Sequence, residues 1–121
     1  MSAGNENVWV IIAAFNEQEV IASVLKRVTA LGYTVVVVDD CSSDRTVEQV
    51  AAFPVHLLRH GVNLGQGAAL QTGIRYALAK GAGFLVTFDA DGQHSPEEIA
   101  TMVAPLRRGE VEATLGTRFA E

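Results

Sequence analysis

Two short acidic clusters hold the residue types best suited to chemistry. Asp89-Ala90-Asp91-Gly92-Gln93 follows the apolar run Phe84-Leu85-Val86-Thr87-Phe88, and Asp39-Asp40 follows Thr34-Val35-Val36-Val37-Val38. In an open α/β sheet ligands collect in the crevice beyond the carboxyl ends of the strands, where acids placed at the junction of strand and loop would stand. Carboxylates one residue apart suit a hard divalent cation, commonly held by one or two carboxylates with phosphates and waters completing the shell. Gln93 can add an amide oxygen. An isolated Asp-x-Asp beside glycine is more often an ordinary turn. Two acidic pairs at one sheet edge are different, because like charges in a crevice repel unless a cation or hydrogen-bond donors are present. The expected division is a metal for one pair and an uncharged donor, a ribose hydroxyl or base N–H, for the other.

The remaining polar motifs are weaker. Gly65-Gln66-Gly67 resembles the start of a dinucleotide fingerprint, but Leu70 occupies the third glycine position and the motif follows the third strand rather than the first. A helix N-terminus at Gly67 would offer amides to an anion; the glycines would equally allow close packing of loop on sheet. His56 and His60 read as solvated edge residues, and His94 as a poorer ligand than Gln93. Cys41 is the only cysteine, which excludes an internal disulfide, and it reads as a small buried residue.

The elements that must position these residues alternate along the chain. Val8–Ala14 is continuously apolar and β-branched, the pattern of a parallel strand covered on both faces. Asn16-x-x-Glu19 predicts a capping box opening a helix with Val20, Ile21, Val24, Leu25, Val28 and Leu31 inward and Gly32 as its stop. Strand two is Thr34–Val38. Ser42, Ser43 or Asp44 caps a short helix to about Ala52, with Val47, Val50 and Ala51 as its apolar face. Val55–Arg59 is a third, more polar strand, expected at a sheet edge. A helix follows with Leu70, Ile74, Ala77 and Leu78 on one face, then strand four with the acids. Ser95-Pro96-Glu97-Glu98 predicts another helix start, with Ile99, Met102, Val103 and Leu106 buried and Pro105 ending or kinking it. Glu112–Arg118 is the fifth strand. The alternation predicts an α/β fold with a doubly wound, mostly parallel sheet in a single domain over residues 1–121.

A chain of 121 residues with 49% hydrophobic and 19% charged residues can bury a core and is not a disordered segment. Its net charge of −5 disfavours a broad grip on nucleic acid or anionic lipid. Phosphates would need a metal or backbone amides. The first residues lack the basic stretch of a signal peptide and the longest apolar run, Val8 to Phe15, is too short to cross a bilayer, so the expected location is the cytoplasm.

Ala14-Phe15-Asn16-Glu17, Val38-Asp39-Asp40-Cys41-Ser42-Ser43-Asp44, Asn63-Leu64-Gly65-Gln66-Gly67-Ala68, Asp89 to Glu97 and Gly116-Thr117-Arg118-Phe119 together resemble the successive motifs of family 2 inverting glycosyltransferases. The similarity is greatest to the dolichol-phosphate mannosyltransferase and polyprenyl-phosphate glycosyltransferase branch. It implies a GT-A fold that moves a hexose from a UDP- or GDP-sugar to a polyprenyl or dolichyl phosphate at the membrane surface. On that resemblance Ala14, Phe15, Glu17, Asp39 and Asp40 bind the nucleotide, and Asp89 and Ala90 lie beside the sugar and ribose. Asp91 and Gln93 hold Mg2+ or Mn2+ against the diphosphate, Asp89 and Asp91 form the catalytic pair, and Arg118 faces the phosphates.

Two departures qualify the resemblance. Ala14 stands where the family commonly has proline, and the family's catalytic domain continues beyond the Gly-Thr-Arg motif. The chain is therefore expected to be the donor-binding, N-terminal part of a longer catalytic domain, membrane-associated in its parent and prone to homo-oligomerise through an uncovered sheet edge. A nucleotide-sugar binding module without turnover is the alternative. A phospho-acceptor receiver domain is a more distant one, since its acidic pair should follow strand one.

Overall fold

In the computed structural model, residues 7–90, 96–101 and 114–116 are described. The strands are β1 (Val8–Ala14), β2 (Thr34–Asp39), β3 (His56–Arg59), β4 (Phe84–Asp89) and β5 (Thr114–Gly116), and the helices are α1 (Ile21–Ala30), α2 (Thr46–Val50) and α3 (Gln66–Ala79). Every pairing in the sheet is parallel, in the order β3-β2-β1-β4-β5. The expected doubly wound sheet is present, with β3 at an edge as its polar sequence implied. A receiver domain would have β1 between β2 and β3; here β1 lies between β2 and β4, which rules that alternative out.

Two apolar layers explain why the central strands are continuously β-branched. Val8, Val10, Ile12, Val35, Val37, Val86 and Phe88 pack on one face with Ile21, Leu25 and Val28 of α1, Val50 of α2 and Ile99. Ile11, Val36 and Val38 face the other way, with Trp9, against Ala69 and Ala77 of α3. Each fully buried valine or isoleucine contributes about 1.5–3 kcal/mol over an exposed one. Because all strands run the same way, Ala14, Asp39 and Arg59 stand in register, and Asp89 stands beside Ala13. The acidic ends of β2 and β4 therefore share one sheet edge, on either side of β1.

Several local expectations are corrected. Asn16 does not cap α1: the helix begins five residues later without a side-chain cap. Asn16 sits instead at φ 53°, and its Oδ1 accepts from the Ser43 amide at 2.9 Å. Helix α2 ends at Val50 and buries Thr46 and Val50, while Ala51 is exposed. On α3 the expected Leu70, Ile74 and Ala77 do pack on the sheet, the first two half-buried, whereas Leu78 is 59% exposed and the buried positions are Ala69, Gly73 and Ala77. Small residues win there because α3 approaches the sheet closely: a Cβ on Gly73 would stand 2.5 Å from Ile11 Cγ2 and 3.1 Å from Val38 Cγ2. Gly32, at φ 92°, ends α1 as expected. Pro96–Glu98 is a 3-10 turn leading to helical residues 99–101, with Ile99 buried; Met102, Val103, Pro105 and Leu106 lie outside the described residues.

Candidate functional site

A pocket of about 400 Å³ opens at the carboxyl ends of β1 and β2. Ala13, Ala14, Phe15 and Glu17 line it from the β1 side, Asp40 from the end of β2, and Asn63, Gly65 and Gln66 from the loop before α3. Four residues expected to bind nucleotide, Ala14, Phe15, Glu17 and Asp40, thus meet around one cavity. Phe15 is 45% exposed and presents an aromatic ring at its rim. Such a ring in water suits packing against a flat, amphipathic group.

The wall on the β1 side is built by two loops that exchange hydrogen bonds. The Asn16 amide donates to Ser42 Oγ at 2.8 Å, the Glu17 amide to Thr46 Oγ1 at 2.8 Å and the Gln18 amide to Asp44 Oδ2 at 3.3 Å. In return the Ser43 amide donates to Asn16 Oδ1 and the Arg45 amide to Gln18 Oε1, at 3.0 Å for the latter. Asp44 also accepts from the Thr46 amide at 2.9 Å. Burial pushes the Asp44 carboxyl up, but the Thr46 hydroxyl and amide and the Gln18 amide outweigh it and hold its pKa below the ordinary value. Polar side chains at 16, 18, 42, 44 and 46 are thus the partners of backbone donors that no strand or helix satisfies.

The opposite wall hangs on Asp40. Its Oδ1 accepts from the Leu64 amide at 2.9 Å and meets His60 Nδ1 at 2.8 Å, and its Oδ2 accepts from the Gly65 amide at 2.7 Å. Asn63 Nδ2 donates to the Asp40 carbonyl at 3.3 Å, and the His60 amide to the Asp39 carbonyl at 2.8 Å. Burial, to 3% exposure, raises the Asp40 pKa, but the hydrogen bonds from the Leu64 amide, His60 and the Gly65 amide more than offset it, so the group stays ionised below the ordinary carboxylate range. Gly65 needs to be glycine for its backbone: φ is 102°, and a Cβ would find open space. Gly67 likewise has open space beside it, so close packing is not its reason either.

Asp39 has a different place. It is fully buried, its Oδ2 accepts from the Ser42 amide at 3.0 Å, and no described donor reaches Oδ1. It is not among the described residues lining the pocket; successive residues of a strand point to opposite faces, so the paired acids of the sequence separate in space. Asp89 closes β4 beside Ala13, and the buried Ala90 follows it. Asp91, Gln93, His94 and Arg118 lie outside the described residues. Among the described residues no cluster of three or more His, Cys, Asp or Glu could hold a metal. By residue type, Asp89, Asp91 and Gln93 offer hard oxygen donors of the kind that suit Mg2+ or Mn2+.

Three readings of single residues change. His60 is not a solvated edge residue: only 10% of its side chain is exposed, and its ring bridges Asp40 and, through Nε2 at 2.9 Å, Thr72 Oγ1. His56 is half-buried, stacked on Trp9 and 2.8 Å from the Tyr76 hydroxyl. Cys41 is exposed rather than buried, because the turn after β2 takes it to φ 69° and directs it outward. Asn63, Gly65 and Gln66 line the pocket although, within the family-like segment 63–68, sequence reasoning assigned none of the three to the site. Their signal was the Asn-x-Gly punctuation after a strand, which marks a shaped loop.

The model of glycosyl transferase family 2 matches residues 9–121. An uncharacterized protein of Methanocaldococcus jannaschii is 39% identical over 115 residues, covering 94% of this chain and 47% of its own length. The UDP-N-acetylglucosamine–dolichyl-phosphate N-acetylglucosaminyltransferase of Methanococcus voltae is 32% identical over 130 residues, covering 93% of this chain and 52% of its own. Among solved structures, glucosyl-3-phosphoglycerate synthase from Mycobacterium tuberculosis, in complex with Mn2+ and UDP-glucose, superposes with a TM-score of 0.70 at 27% identity, over 89% of this chain and 41% of that one. The chain therefore spans about half the length of these relatives or less. No helix among the described residues is long and apolar enough to cross a membrane.

Proposed function

Since the chain belongs to glycosyl transferase family 2, we propose that it is the donor-binding part of an inverting glycosyltransferase that moves a hexose from a nucleoside diphosphate sugar to a polyprenyl or dolichyl phosphate. The observation that carries this reading is the pocket at the ends of β1 and β2, lined by Ala14, Phe15, Glu17 and Asp40. Asp40 enters it as an anion with acceptor capacity on Oδ2, which takes one donor among the described residues where a carboxylate oxygen accepts two. That capacity suits a base N–H or ribose hydroxyl. Phe15 packs against the base, and Glu17 faces the same space.

Asp89, Asp91 and Gln93 would hold Mg2+ or Mn2+, which supplies Lewis-acid stabilisation of the charge on the departing nucleoside diphosphate. Asp89 orients the sugar and ribose, and Arg118 adds positive charge beside the phosphates. A lipid phosphate acceptor is already ionised, so it needs no general base, whereas a hydroxyl acceptor would. Water exclusion and in-line alignment would need an acceptor wall as well as the donor pocket.

Calorimetric titration with UDP-glucose, GDP-mannose and related donors, with and without Mn2+, tests the donor half. Asp91→Ala is expected to weaken the metal-assisted part of binding by about 1–3 kcal/mol, the range for a charge-assisted contact. Unchanged affinity in Mn2+ would remove Asp91 from the metal site. Transfer of labelled hexose to polyprenyl phosphate separates an enzyme from a binding module.

A further inference from the structure

We propose that His60 is a positioning residue for donor binding, acting through Asp40 on the loop from Gly61 to Gly65. The inference rests on the reading of the pocket as a nucleotide site. His60 begins the loop, and Leu64 and Gly65 end it; all of them converge on the one carboxylate of Asp40. Asn63 and Gly65, within the span that these bonds close, line the pocket. The position of that wall is therefore set by the rotamer of Asp40.

What sets the rotamer is His60. A carboxylate can only accept, so Nδ1 carries a hydrogen and donates it to Oδ1. The other end of the ring stands 2.9 Å from Thr72 Oγ1, whose one hydrogen goes either to Nε2 or to the Ala68 carbonyl 3.0 Å away in the first turns of α3. The imidazole is thus a strut between the end of β2 and the body of α3. It turns Oδ1 toward the Leu64 amide and leaves Oδ2 to serve both the Gly65 amide and the pocket. The strands explain why the two residues meet: β2 and β3 pair with Asp39 opposite Arg59, so Asp40 and His60 are the next residues out on adjacent strands.

The test compares His60→Ala, His60→Asn and His60→Gln. Asparagine places an N–H near Nδ1 and can restore the bond to Asp40; glutamine reaches toward Thr72 instead. Two quantities are read: hydrogen exchange of the Leu64 and Gly65 amides without ligand, and affinity for UDP and GDP in EDTA. In His60→Ala, exchange is expected to accelerate and affinity to fall, each about tenfold, the scale of one charge-assisted hydrogen bond. His60→Asn should recover most of both, and His60→Gln neither. Unchanged exchange in His60→Ala, or equal behaviour of the asparagine and glutamine variants, overturns the proposal by reducing His60 to a space-filling residue. If the alanine variant fails to fold, the asparagine and glutamine pair still decides. Binding of neither UDP nor GDP by the unmutated chain would overturn the nucleotide reading, while the exchange rates would still decide whether His60 holds the loop.

Discussion

The two walls of the pocket solve one problem, fixing a loop beyond a strand end, in opposite ways. On the β1 side, residues 16–18 and 42–46 exchange hydrogen bonds through several separate side chains, most of them half-buried or exposed. Loss of one leaves the rest in place, and water can substitute. On the far side, the loop from His60 to Gly65 depends on the carboxylate of Asp40, which is nearly inaccessible. Distribution makes the first wall tolerant; convergence makes the second sensitive to a single atom pair.

The largest expected effect follows from removing the point of convergence. Asp40→Ala strands the Leu64 and Gly65 amides and His60 together, and a buried donor without a partner costs about 1–3 kcal/mol, so a loss of about 3 kcal/mol is expected in urea unfolding. Nucleoside diphosphate affinity should fall whether or not EDTA is present. A loss confined to metal-containing buffer would move Asp40 to the metal side of the site. Protonation is a gentler version of the same change. The folded-state pKa of Asp40 is lowered, so its contribution is present above the ordinary carboxylate pKa and is lost as pH falls through the folded value. Exchange of the Gly65 amide should therefore accelerate only below the ordinary carboxylate range, and Asp40→Asn should abolish that dependence.

Next in size is Gly73→Ala, which attacks the seat of the helix behind the sensitive wall. In an exposed helix the change would be favourable by about 1 kcal/mol. Here the new Cβ would meet Ile11 Cγ2 at 2.5 Å and Val38 Cγ2 at 3.1 Å. Both neighbours are fully buried and β-branched, with little rotamer freedom to yield. Overpacking of this kind costs about 1–3 kcal/mol, so the sign should reverse and the melting temperature fall. The amides of Leu64 and Gly65 should lose protection while those of Asn16 and Glu17 keep theirs. Equal loss in both walls would show that they are one cooperative unit.

What the sequence disclosed follows the same division. The β-branched runs at 8–14 and 34–38 specify buried parallel strands wherever they occur, and the acids after them stand at the strand ends whatever the strand order is. The resemblance of Ala14-Phe15-Asn16-Glu17 to a known motif marked the β1 side of the pocket. The role of His60 was not legible, because it depends on the register of β3 against β2, which no local pattern encodes. The alternation of strand side chains did carry the separation of Asp39 from Asp40, a signal present in the sequence and passed over. Asn16 misled because Asn-x-x-Glu is a helix-start pattern, while asparagine also tolerates positive φ, and tertiary partners at Ser42 and Ser43 selected the second use. On α3, Leu70, Ile74 and Ala77 pack as the pattern said, but Leu78 is exposed and the closest approach to the sheet runs through Ala69, Gly73 and Ala77, small residues that a search for large apolar side chains passes over.

The smallest expected effect belongs to the tolerant wall, and it is the one that most sharpens the contrast. Ser42→Ala removes the acceptor of the Asn16 amide, a bond in an exposed setting. Water can reach that amide, so the loss should be only about 0.5 kcal/mol, at the low end for a hydrogen bond. The Ser42 amide keeps its own bond to Asp39 Oδ2, and Ser43 keeps Asn16 Oδ1, so the left-handed turn at Asn16 retains an anchor. Nucleoside diphosphate affinity should stay within about twofold of the unmutated chain, since this bond holds backbone that neighbouring bonds hold as well. Combining Ser42→Ala with Asp40→Ala should give additive changes in stability, because the two substitutions act on different walls. A coupling well above about 0.5 kcal/mol would mean that the walls communicate through the short segment from Asp40 to Ser42, and the distributed wall would then be no more independent than the convergent one.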